Sequence, residues 1–232
     1  MAISIDTIYQ RVLALANKEQ RGYITPQEFN LFADHAQKEI FEQYFYDLNQ
    51  FLRVPNNSEE YSDIIHNINE KISFFETTGT INNGVLNEGN IYRLGTVIAN
   101  GVTIVEEVQQ DDILEMNMSP LTKPTKDRPV YVRTGKNSIQ HYPISLPDGS
   151  TWGWTGTYTY IRKPLKPNWS YVVVNGKAMW NPANKIDFEL HPSEETELTY
   201  KILKSAGLAM RRDDIAKGGQ VLESLQIQQE KQ

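Results

Sequence analysis

The sequence has no cysteine. Disulfide staples, thiolate metal sites and a cysteine nucleophile are thereby excluded, and a chain of 232 residues must rest on an ordinary buried core. Long apolar runs are also missing. The N-terminal MAISIDTIYQRV carries no basic segment ahead of an apolar one, so the chain reads as a soluble protein made without a signal peptide. Basic charge is in deficit, 23 Lys and Arg against 29 Asp and Glu, a net charge of −6. That balance argues against a body built to grip nucleic-acid phosphates, though DNA can pass beside it without being held. Histidine is scarce. The four, His35, His66, His141 and His191, lie far apart, and no His-Glu-x-x-His, G-x-S-x-G, Walker loop or G-x-G-x-x-G occurs. No catalytic residue, cofactor or metal ligand is assigned, and the expectation is a protein that is not an enzyme.

What is present is helical period, then extended period, then helical period again. The first helix is expected over 6–18, with Ile5, Ile8, Val12 and Leu15 on one stripe. A second begins at Thr25 and repeats apolar residues three and four apart, from Phe29 through Ala33, Ala36, Ile40 and Tyr44 to Phe51, with Pro55 its latest stop. The third begins at Asn57 or Ser58, where Asn57 and Glu60 suit a capping box, and carries Tyr61, Ile64, Ile65, Ile68, Ile72 and Phe75. Such stripes are buried only against one another or a partner.

From Thr77 the text changes. TTGTINNGVLNEG reads as a polar linker, and short β-branched runs follow, bounded by Gly, Pro and Asn. Asn100-Gly101 and Asn175-Gly176 are strong two-residue hairpin signals, and Gln110–Met118 suits one short helix. After Pro192, Ser193 is expected to open a helix with Leu198, Ile202, Leu203 and Ala206 inward and Gly207 at its end; a last helix starts near Asp213, with Ile215, Leu222 and Leu225 on one face. The expected class is α+β: a helical bundle over 1–80, an antiparallel β barrel or sandwich over 81–190, and helices over 191–232 that rejoin the bundle or dock on a partner.

Two stretches invite a sharper reading. Asn17 to Glu28, NKEQRGYITPQE, has the outline of an EF-hand calcium loop. Arg21, however, stands where an oxygen ligand belongs, and Lys18 and Arg21 cancel Glu19 and Glu28. The same letters are better explained as a helix start: Thr25 as N-cap, Pro26 at N1, Glu28 closing a capping box, and Ile24 with Phe29 as a hydrophobic staple. The second stretch holds Trp152, Trp154, Tyr158 and Tyr160, all of one strand parity. Either this face is a stacking platform for sugar rings or single-stranded nucleic acid, or it packs on a core or neighbouring subunit.

Three segments, NKEQRGYITPQEFNLFADHAQKEIFEQYF, NMSPLTKPTKDRPVYV and HPSEETELTYKILKSAGL, together resemble head–tail connector proteins of crAss-like and related short-tailed bacteriophages. These are the adaptor or ring proteins stacked beneath the portal. The resemblance implies a virion structural protein made in the bacterial cytoplasm. It would form a homo-oligomeric ring, twelve-fold in such families, bind the portal and other connector or tail proteins, and line a channel through which genomic DNA passes. Expected partner-binding residues are Ile215, Leu222 and Leu225 on the last helix, and Trp152, Trp154, Tyr158 and Tyr160 on the aromatic face. The alternative is a carbohydrate- or receptor-binding tail or fibre module that uses the aromatic face.

Overall fold

Residues 3–16, 24–53, 59–82, 84–144, 155–209 and 213–230 are described by the structure, a computed structural model. The start of the second helix is formed as expected. Thr25 donates its backbone N–H and its hydroxyl to Glu28 Oε2 at 3.0 and 2.7 Å, and Glu28 N–H donates back to Thr25 Oγ1 at 3.3 Å. The hydrogen bonds from Thr25 hold the Glu28 carboxyl below its ordinary range. Ile24 and Phe29 are both buried beside this box. The calcium-loop positions 17–23 lie outside the described residues.

Among the described residues, six α-helices and nine strands form two units. The first unit contains residues 1–74 and 164–232, the second residues 75–163. In the first, α1 (Ile5–Ala16) and α2 (Pro26–Arg53) pack on α5 (Glu195–Ala209), α3 (Glu59–Ser73) packs on α2, and α6 (Asp213–Glu230) packs on α5. Ile5, Ile8 and Val12 are buried on α1, but Leu15 is nearly half exposed; Tyr9 and Ala16 complete the inward face instead. The Asn57 cap lies outside the described residues.

Two helix boundaries depart from the sequence reading. Ser193 does not cap α5: His191 accepts the Ser193 N–H through its ring, a single 3-10 turn of Pro192–Glu194 follows, and α5 continues from it. Gly207 does not end α5, which runs on to Ala209. There Gly207 is buried, so an absent side chain serves packing and not a turn.

The second unit is a mixed sheet of seven strands in the order β2-β1-β7-β3-β4-β5-β6. These are β1 (Glu76–Asn82), β2 (Val85–Leu86), β3 (Ile91–Ala99), β4 (Thr103–Glu107), β5 (Val130–Arg133), β6 (Ile139–Tyr142) and β7 (Thr155–Arg162). The two ends of this order meet. Val85 bridges Ser138, Leu86 N–H donates to Asn137 O at 3.0 Å, and Ile139 N–H to Gly84 O at 2.8 Å, so the sheet is nearly closed into a barrel. Closure covers the edges that an open sheet would present. Ile81, Leu86, Ile91, Val97, Ala99, Val105, Tyr131, Ile139, Tyr158 and Tyr160 fill the interior.

The expected linker at 77–89 in fact holds β1 and β2, and β1, flanked by β2 and β7, is paired along its whole length with β7. Its glycine is structural: a Cβ on Gly79 would lie 2.5 Å from the Tyr158 ring, so the bare backbone is what lets that ring cross. The sheet is also not wholly antiparallel. β4 and β5 run parallel, and α4 (Gln110–Met118) supplies the crossover that a parallel pair requires. Ile113 of α4 covers Val130 and Val132 on the outer face of β5.

Both Asn-Gly signals are hairpin turns of the expected type, with φ of 50° and 76° at Asn100 and Gly101 and of 50° and 75° at Asn175 and Gly176. The second belongs elsewhere than expected. β8 (Tyr171–Val174) and β9 (Lys177–Trp180) form a separate hairpin in the helical unit, so the β-rich unit ends at Lys163 and not at 190. Trp169 explains the placement. Its ring nitrogen donates to Asp6 Oδ1 at 2.9 Å, its backbone N–H to Asn30 Oδ1 at 2.8 Å, and its ring stacks on Tyr171 and packs, tilted, against Tyr9 and Trp180.

Candidate functional site

An amphipathic surface helix turns its apolar stripe inward. On α6 the arrangement is reversed. Its buried positions among the described side chains are Gly219 and Glu223, one turn apart, while Val221, Leu222 and Leu225 are 40–55 % exposed. Gly219 allows the close approach to α5, since a Cβ there would meet the Lys204 Cα and N at 3.1 Å. Glu223 supplies the attachment. Lys201 donates to its Oε1 at 2.8 Å and Lys204 to its Oε2 at 2.9 Å.

Lys201 is itself buried and sits among three carboxylates, with Glu39 of α2 at 2.9 Å and Glu197 at 3.5 Å besides Glu223. A buried ammonium persists only where such partners replace its water. Burial alone would lower the Lys201 pKa, but the bonds from Glu223 and Glu39 outweigh it and the net shift is upward from 10.5. Burial likewise pushes Glu223 up, and the bonds from Lys201 and Lys204 outweigh that, leaving its carboxyl below 4.5. One face of α6 is therefore fixed by directional ionic bonds, and the other exposes aliphatic side chains.

The expected partner-binding residues divide accordingly. Leu222 and Leu225 lie on the exposed face; of Ile215 only the backbone, within α6, is described. Trp152 and Trp154 lie outside the described residues. Tyr158 and Tyr160 share one face as their parity requires, but it is the interior of the barrel, where they are 1 and 6 % exposed with ring centroids 5.3 Å apart. Burial raises both phenol pKa values. These two rings are core and offer no platform to a ligand. Sequence reasoning missed Gly219, Lys201, Lys204 and Glu223. The Glu197–Lys201 spacing was the available signal, since i, i+4 charges on a helix face one another.

A second feature of the helical unit is a cleft of about 390 Å³ bounded by α2, α3 and the start of α5. Ile40, Tyr44, Phe51, Ile64 and Ile68 form its apolar wall. Its ionisable lining is mostly acidic, with Asp47, Glu70, Glu194 and Glu197 against Lys71 and His191, beside the neutral Gln43, Asn67 and Ser193. Lys71 is paired with the buried Glu194 at 2.5 Å and stands 5.8 Å from the Tyr44 ring centre. Ser193 donates to Glu194 Oε1 at 3.1 Å and stands 2.8 Å from His191 Nδ1. This histidine–serine contact belongs to the cap of the turn that begins α5. His35 and His66 are both exposed.

Among the described residues no group of His, Asp and Glu is arranged to hold a metal ion, and no helix is long and apolar enough to cross a membrane. No protein-family model matches the chain, and no curated protein matches it.

Proposed function

We propose that this protein is a structural virion component of the head–tail connector type, an adaptor or ring protein that links the portal to the tail and lines the DNA channel. It works by assembly and has no enzymatic role. Helices from 1–80 and 191–232 form the assembly bundle, copies of the chain form a ring, twelve-fold by resemblance, and genomic DNA passes without sequence-specific binding in the neck of the particle.

The observation that carries this reading is the reversed helix α6. Its aliphatic residues Val221, Leu222 and Leu225 face outward while buried charges hold its inner face. A helix held in this way is a docking element with its contact side prepared, and α6 is the part of the chain that engages the portal. The net negative charge supports passage of DNA without adhesion. Leu222→Glu with Leu225→Glu tests this. Both positions are exposed, so the variant should keep its circular dichroism spectrum and melting temperature and lose co-assembly with the portal. Unchanged portal binding would sink the docking role of α6.

A further inference from the structure

We infer that the β8–β9 hairpin of one copy inserts into the α2–α3–α5 cleft of the next copy. This rests on the reading of the protein as self-assembling and names the two surfaces involved.

An isolated two-stranded hairpin is marginal in water, and one that exposes aliphatic side chains is a candidate for burial elsewhere. Here Val172, Val173, Val174 and Met179 are 47–62 % exposed. The segment Tyr171–Trp180 has one charged side chain, Lys177 beside the turn, and no acid. The cleft is its chemical complement, aliphatic and aromatic on the wall and mostly acidic in its ionisable lining, with the exposed Glu70 available to meet an incoming ammonium. The exposed face of α6, with Lys217 as its described cation, is the competing occupant, and the crosslinks below tell the two apart.

The hairpin does not fill the cleft of its own chain. Its base is fixed by Trp169 to Asn30, near the start of α2, and no residue of Tyr171–Trp180 lines the cleft, which begins at Ile40. Donor and acceptor surfaces thus sit at different places on one unit. A contact that joins them between copies is head-to-tail, the type that closes rings or extends filaments.

The absence of cysteine gives a clean test, because an introduced pair is the only route to a disulfide. Val174→Cys and Asn67→Cys in one chain should give, under mild oxidation, a ladder of covalent dimers and higher species. Each single variant should give none. Lys177→Glu should weaken self-association about tenfold by sedimentation, and Glu70→Lys in the same chain should restore it. Wild-type oligomers without the 174–67 crosslink would overturn this contact and leave the assembly reading standing. Crosslinking of Leu225→Cys to Asn67→Cys in place of the hairpin pair would also overturn it. A wild-type chain that stays monomeric at every concentration would overturn both.

Discussion

Helix α5 is held on two sides by two kinds of force. It packs on α1 and α2, and Leu198, Ile202 and Ala206 are fully buried along it. Toward α6 it presents Lys201 and Lys204, whose partner is Glu223. Apolar burial is non-directional and indifferent to protonation. An ionic attachment is directional and lasts only while its carboxylate is charged. The contrast identifies the α5–α6 seam as the conditional joint of the helical unit, while the core beside it is permanent.

The comparison breaks most severely if the permanent side is opened. Phe29 is fully buried, so Phe29→Ala should cost about 3–5 kcal/mol, seen as a large fall in melting temperature for the helical unit as a whole. Glu223→Gln should act more locally and cost about 1–3 kcal/mol, because Lys201 keeps Glu39 and Glu197 but loses one charge partner. Hydrogen exchange should quicken in α6 and stay slow in α1 and α2. Equal loosening of all helices would contradict the division.

Acid should do the same without a mutation. The folded pKa of Glu223 is depressed, so its contribution is fully present above about pH 4.5 and is lost as pH falls through the lower folded value. Lys201 is raised, so its contribution holds below 10.5 and fades only above that. Between those limits the contribution of these two groups to the protection of α6 should be flat. The smallest effect sharpens the contrast from outside it. Thr25→Ala removes the cap of α2 and should cost about 1 kcal/mol of thermal stability with no change in α6 exchange.

How much of this was legible in the sequence follows from the range of the interactions involved. Capping at Thr25 and Glu28, the stripe of α2 from Phe29 to Tyr44, that of α1 except at Leu15, and both Asn-Gly turns are settled within a few residues, and they could be read directly. β1 could not, because Gly79 and its threonines gain strand structure only from Tyr158 on a distant strand. Parity placed Tyr158 and Tyr160 together but did not tell inside from outside, which barrel closure decides. Periodicity likewise grouped Leu222 with Leu225 and left open which way α6 would turn. That orientation depends on Glu223 finding Lys201 and Lys204. The boundary at Lys163 was hidden because Tyr171–Trp180 reads as more of the same sheet, while Trp169 ties it to helices.

The pairing of β1 with β7 has one more consequence. Glu76 lies opposite Ile161, and Arg162 N–H donates to Phe75 O at 2.9 Å, so the barrel begins and finishes on neighbouring strands. Strands paired in this way are about 5 Å apart. To the helical unit the entire 75–163 segment is topologically a loop whose two feet almost touch, as removable as a tight turn. Replacing 75–163 by a short turn should therefore leave the chain path of the helical unit intact.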